Sequence, residues 1–150
     1  MIHAQDSKGA VLIKPASIAT NGTSTGKVDC RGFDYLTIDV IADTAAAVTN
    51  KPTVLKLSEA DGTSYADIVA CTGGTVTSAS VGFVFASMGT SASQIYTRFH
   101  LDLHKRKRYI KASVTSGTAA LIWCVTGNLT RAGEMPASAT EAGVGKLVIA

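Results

Sequence analysis

The chain has 150 residues, 14 Lys+Arg against 11 Asp+Glu, and a formal net charge of +3, with 17% of its residues charged. One domain of this length buries roughly two-thirds of its unfolded surface, so it needs neither a disulfide nor a metal to fold. The small basic excess argues against direct nucleic-acid binding, and the scarcity of Glu, Lys, Gln and Leu argues against a bundle of amphipathic helices.

Val11 to Ile18 is apolar but interrupted by Pro15, which lacks a ladder donor and so restricts the segment to an edge strand or an extended arm. Asn21-Gly22-Thr23-Ser24-Thr25-Gly26 is turn chemistry, and Lys27 to Arg31 is a short strand. After Gly32, Leu36, Ile38 and Val40 alternate with Thr37 and Asp39, the period of a half-buried strand over Tyr35 to Ala42. Ala45 to Asn50 is a connection, Thr53 to Ser58 alternates again, and Asp61-Gly62-Thr63 turns the chain. Ile68 to Cys71 is a short strand broken by Gly73-Gly74, and Val81 to Phe85 is a further apolar strand.

In Gln94 to Leu103, residues Ile95, Thr97, Phe99, Leu101 and Leu103 share one face. Arg108 to Thr115 and Ala119 to Leu129 are the last two core strands, joined by a tight Ser116-Gly117 turn. Ala132 to Gly145 is rich in Ala, Gly, Ser and Thr and is expected to be extended. It leads to the apolar ending Leu147-Val148-Ile149.

Short strands at regular spacing, with turn signals between them and no helical period, predict an all-β fold. The expected architecture is a single antiparallel β-sandwich, jelly-roll-like, over residues 27–131. Residues 1–26 and 132–150 are expected to be N- and C-terminal arms, the second gripping a neighbour's sheet edge through Leu147, Val148 and Ile149.

Candidate chemistry is sparse. His100, Asp102 and His104 would stand in line on a strand, the ligand set of a two-His-one-carboxylate iron site. The opposite face carries Phe99, Leu101 and Leu103, which should claim the interior and turn the two imidazoles outward, so no metal or other cofactor is expected. The basic run Lys105-Arg106-Lys107-Arg108 reads either as a nucleic-acid or localisation patch, or as a loop that is solvated or paired with acids on a partner; the second is preferred because no aromatics interleave it. Cys30, Cys71 and Cys124 are odd in number and widely spaced, which favours buried free thiols and a reducing compartment over a disulfide framework.

Two Asn-x-Thr sequons, at Asn21 and Asn128, are read as chance in a Thr-rich chain, and Trp123 as a core or interface residue. Met1 to Asp6 lacks the basic-then-apolar pattern of a secretory signal, and no apolar stretch nears the roughly 20 residues of a membrane span. There is no Gly-x-Ser-x-Gly elbow or phosphate-binding glycine loop, so an enzyme is not expected.

Three segments carry a resemblance. Cys30-Arg31-Gly32-Phe33-Asp34-Tyr35, the stretch Asp102-Leu103-His104-Lys105-Arg106-Lys107-Arg108-Tyr109-Ile110, and Leu129-Thr130-Arg131 occur in that order. Together they resemble the capsid decoration, or cement, proteins encoded among the head genes of tailed bacteriophages. The resemblance implies a jelly-roll-like body, a homotrimer on the outside of an icosahedral head, and the major capsid protein as partner. It also implies assembly in the host cytoplasm, and it carries over no catalytic residue. On that reading Lys105, Arg106, Lys107 and Arg108, with Leu147, Val148 and Ile149, are the candidate capsid or subunit interface. His100 and His104 depart from the family's pattern. Rival readings are another β-sandwich virion component such as a head-fibre base or tail protein, a cupin-like metalloenzyme, and a carbohydrate-binding sandwich, the last disfavoured by an aromatic content of 6%.

Overall fold

Alternating apolar residues on successive strands require two sheets packed face to face, and that is the arrangement of the chain. The computed structural model describes residues 6–43, 52–68 and 95–132. The expected connection over 45–50, the Val81–Phe85 strand, Cys71 and the C-terminal arm with Leu147, Val148 and Ile149 lie outside the described residues.

One sheet has the strand order β1 (Lys8–Ile18), β8 (Leu121–Ala132), β3 (Phe33–Ala42), β6 (Ile95–Asp102). The other has the order β2 (Thr23–Asp29), β7 (Tyr109–Thr115), β4 (Val54–Ala60), β5 (Ala66–Asp67). Every pairing is antiparallel. Among these strands the first pairs with the eighth, the second with the seventh, the third with the sixth and the fourth with the fifth. That is a long hairpin rolled into two layers, the pairing of a jelly roll.

The core follows from the period of two. On β3, Leu36, Ile38 and Val40 are fully buried, opposed by Leu129, Gly127 and Val125 of β8 and by Leu101, Phe99 and Thr97 of β6. The facing layer supplies Leu55 and Leu57 from β4 and Ile110, Ala112 and Val114 from β7. Each such aliphatic side chain contributes about 1.5–3 kcal/mol by leaving water. Trp123 is fully buried beside Ala42, which makes it a core residue; its indole N–H meets no acceptor among the described residues.

Lys8–Ile18, within the expected N-terminal arm, is a paired strand and not an arm. β1 pairs with β8 from Lys8↔Leu129 to Ile18↔Leu121 and buries Leu12, Ile13 and Ile18, while β2 begins at Thr23. Pro15 acts as its chemistry requires: β1 is an edge, and pairing skips Lys14 and Pro15 between Ile13 and Ala16. A second skip leaves Leu12 out of the ladder. There the two sheets meet, because a β-carbon on Gly26 of β2 would fall on the Leu12 carbonyl. The same leucine's Cδ1 lies 3.0 Å from where a β-carbon on Gly127 would stand, so two glycines make room for one residue.

The Ser116-Gly117 connection is not a hairpin turn, since β7 and β8 belong to different sheets. Ser116 is buried: its N–H donates to the Gly22 carbonyl at 3.0 Å and its Oγ–H to the Ile18 carbonyl at 3.2 Å. The Asn21 N–H donates to the Gly117 carbonyl at 3.0 Å. Bonding to the β1–β2 turn takes the place of a local turn and sends the chain across the sandwich.

Gly26→Ala should therefore cost about 2–4 kcal/mol or abolish folding, because the obstacle is main chain on a paired strand and not a mobile side-chain tip. Gly62→Ala, where a β-carbon meets nothing within 4 Å, should change stability by less than about 0.5 kcal/mol. Urea denaturation of the two variants reads the difference.

Candidate functional site

The three segments that carry the resemblance meet at one end of the sandwich. Tyr35 on β3 is opposite Asp102 of β6 on one side and Thr130 of β8 on the other. Arg131 adopts φ 57°, a left-handed conformation unfavourable for a non-glycine residue. Its guanidinium stands 5.4 Å from the Tyr35 ring centroid, with Nε 3.7 Å from Asp34. His104 approaches the same carboxylate at 3.8 Å and meets the Tyr35 ring edge-on at 6.2 Å.

The basic run leaves β6 through a single 3-10 turn over Leu103–Lys105, capped by Asp102, whose carboxylate accepts the His104 N–H at 3.0 Å. Its arginines are paired within the chain. Arg108 grips Asp29 with two parallel bonds, Nε to Oδ1 at 3.0 Å and Nη2 to Oδ2 at 2.6 Å, and its guanidinium lies 4.8 Å from the Tyr109 ring centroid. Arg106 reaches Glu59 at 3.5 Å. The backbone N–H groups of Lys107 and Arg108 donate to Glu59 and Asp61. The expected loop is either solvated or paired with a partner's acids; its arginines pair instead with the chain's own acids, from β2, β4 and the residue after β4. Lys105 and Lys107 remain exposed.

The line of His100, Asp102 and His104 is broken by the same turn. His100 and Asp102 are exposed on β6 while Leu101 is buried, as alternation requires, but the strand ends at Asp102. His100 Nδ1 is 3.3 Å from the Thr37 hydroxyl and His104 Nδ1 is 2.7 Å from Asp102. Among the described residues no group of three metal-ligating side chains converges.

Charge pairing also organises the outer face of the β3–β6 ladder. Arg98 forms a two-point pair with Asp39, at 2.6 and 2.9 Å, and Tyr96 donates its phenol proton to the same carboxylate at 2.9 Å. Three aspartates consequently lie below their ordinary range: Asp29 chiefly through Arg108, Asp39 chiefly through Arg98, and Asp102 chiefly through the His104 backbone N–H. Burial pushes the Cys30 thiol up to about 12, so it is unreactive at neutral pH. Cys124 is only partly buried.

No protein-family model matches the chain, and no curated protein matches it. Among solved structures it is similar to a family GH115 4-O-methyl-α-glucuronidase with specificity for decorated arabinogalactans, at 14% identity and a TM-score of 0.44, over 86% of this chain and 17% of the other. Dimeric latent PorU from Porphyromonas gingivalis aligns at 11% identity and TM-score 0.39, over 84% and 13%. The STIV MCP aligns at 11% identity and TM-score 0.41, over 91% and 50%. The chain thus spans half of one of these proteins and under a fifth of the other two. At TM-scores below 0.5 these likenesses assign neither a family nor an activity.

Three measurements check the electrostatics and the thiol burial. Carboxylates with lowered folded-state pKa values stabilise the fold above their unfolded value, and that contribution fades as pH falls through and below 3.8. Asp29→Asn and Asp39→Asn should each flatten the acid limb of a stability–pH curve. Arg108→Ala should lower the thermal midpoint, and Arg108→Lys should recover only part of the loss, since an ammonium cannot make the two-point grip. In peptide-mapped alkylation of the native protein, Cys124 should label well before Cys30.

Proposed function

We propose that the chain is a structural virion protein that acts without catalysis. In this reading it decorates and stabilises the outer surface of an icosahedral phage head as a homotrimer, bridging subunits of the major capsid protein. The observation that carries the proposal is the convergence at Tyr35: the segments that resemble decoration proteins are far apart in sequence, yet they join through Asp34, Tyr35, His104 and Arg131. Residues serving only the core would lie along the inner faces. These form a braced, exposed end.

A bridging role also fits the exposed apolar side chains Val11, Ile41, Tyr96 and Ile122 on strands of the β1–β8–β3–β6 sheet, because contacts of this kind are stabilised by leaving water on assembly. Lys105 and Lys107, exposed and without an ion pair among the described residues, are the members of the basic run available to a partner. Several weak contacts per oligomer would act together through high effective concentration, opposing expansion of the shell.

The test is to mix purified protein with heads lacking it, then measure co-sedimentation and image the particles by negative stain. The expected result is saturable binding with added density on the outer surface, and a trimer in sedimentation equilibrium. A stable monomer that leaves particles unchanged would refute the proposal, and density confined to the tail or a fibre would favour a different virion component.

A further inference from the structure

A cleft of about 440 Å³ opens on the outer face of the second sheet, between β2, β7 and the β4–β5 turn. Its walls include Thr25, Lys27, Thr63, Tyr65 and Lys111. Lys27 and Lys111 are directly opposite each other in the β2–β7 ladder, so two ammonium groups share one face. Like charges in that relation repel and destabilise a sheet.

Elsewhere on this face the charges are matched. Asp67, across β4 from Lys111, is held by Lys56 at 3.1 Å, and Asp29, two residues along from Lys27, is held by Arg108 at 2.6 Å. Lys27 and Lys111 have aromatic faces instead: the Tyr109 ring at 5.5 Å and the Tyr65 ring at 4.1 Å. A ring quadrupole steadies a cation without neutralising it.

The hydroxyls add an independent sign. Tyr65 Oη and Ser58 Oγ are both buried without a hydrogen-bond partner among the described residues. Tyr65 lines the cleft, and Ser58 is opposite Lys111 on β4. An orphaned buried hydroxyl is costly, and two beside an unneutralised lysine pair call for an acceptor. Among the described residues no carboxylate lines the cleft, and each polar side chain on its walls can donate a hydrogen bond.

From this lining of two ammoniums and three hydroxyls we infer that the Lys27–Lys111 cleft is a binding site for an oxyanion group, a carboxylate or a phosphate. The two ammoniums supply the charge-assisted bonds, and the Tyr65 and threonine hydroxyls fix the orientation. This inference rests on the cleft and is independent of the virion reading.

The experiment is an NMR titration of the isotope-labelled full chain at low ionic strength, with inorganic phosphate in one arm and a tetraglutamate peptide in the other. Saturable one-site shifts are expected at Thr25 to Lys27, Gly62 to Tyr65 and Lys111. Lys27→Ala and Lys111→Ala should each weaken binding about tenfold or more, and Tyr65→Phe by a smaller factor. Lys14→Ala, an exposed lysine on β1 of the other sheet, should leave it unchanged. Tighter binding of the peptide points to carboxylates of a neighbouring protein, and tighter binding of phosphate to a phosphorylated small ligand; either supports the site. Absence of saturation in both arms, or equal weakening by Lys14→Ala, overturns it.

Discussion

Leu12 sits where β1 lies directly against β2, and the fold depends on what surrounds it. Its carbonyl occupies the space a β-carbon on Gly26 would need, and its side chain fills the space above Gly127. Because Leu12 drops out of the β1–β8 ladder, its main chain can lean onto β2 without breaking the pairs on either side. This contact closes one edge of the sandwich and lets a Pro-containing strand belong to the core while remaining an edge. The irregular ladder also makes β1 a poor template for an unwanted strand.

Much of the fold was legible in residue order, where one face is apolar and the other polar. β3 and β6 announce themselves through Leu36, Ile38, Val40 and through Phe99, Leu101, because both bury one face against large side chains. β2 did not. Its inward positions include Ser24 and Gly26, small because β1 lies over them, so Thr23-Ser24-Thr25-Gly26 has the composition of a turn and the geometry of a strand. The Ser116-Gly117 misreading has a similar source: hydrogen bonds to residues almost 100 positions away set the path, and no local signal reports them.

The site was legible in its residue types and not in its partners. The run from Lys105 to Arg108 is conspicuous in the sequence, whereas Asp29, Glu59 and Asp61 are single acids on separate elements, brought to it by the β2–β7 and β4–β7 pairings. His100 and His104 share a strand face only if the strand continues to His104, and the cap formed by Asp102 ends it first. The opposed lysines of the cleft, 84 positions apart if counted from Lys27 to Lys111, become neighbours through register alone.

Pairing β1 with β8 has a kinetic consequence. The sheet holding β1, β8, β3 and β6 stays incomplete until β8 has left the ribosome, because β8 is central in it and contacts both β1 and β3. Until then β3 exposes Leu36, Ile38 and Val40 along one face of an unpaired edge. A chain built on such long-range closures folds slowly for its size. Its early folding species carries the open apolar edge that invites association between copies at high expression.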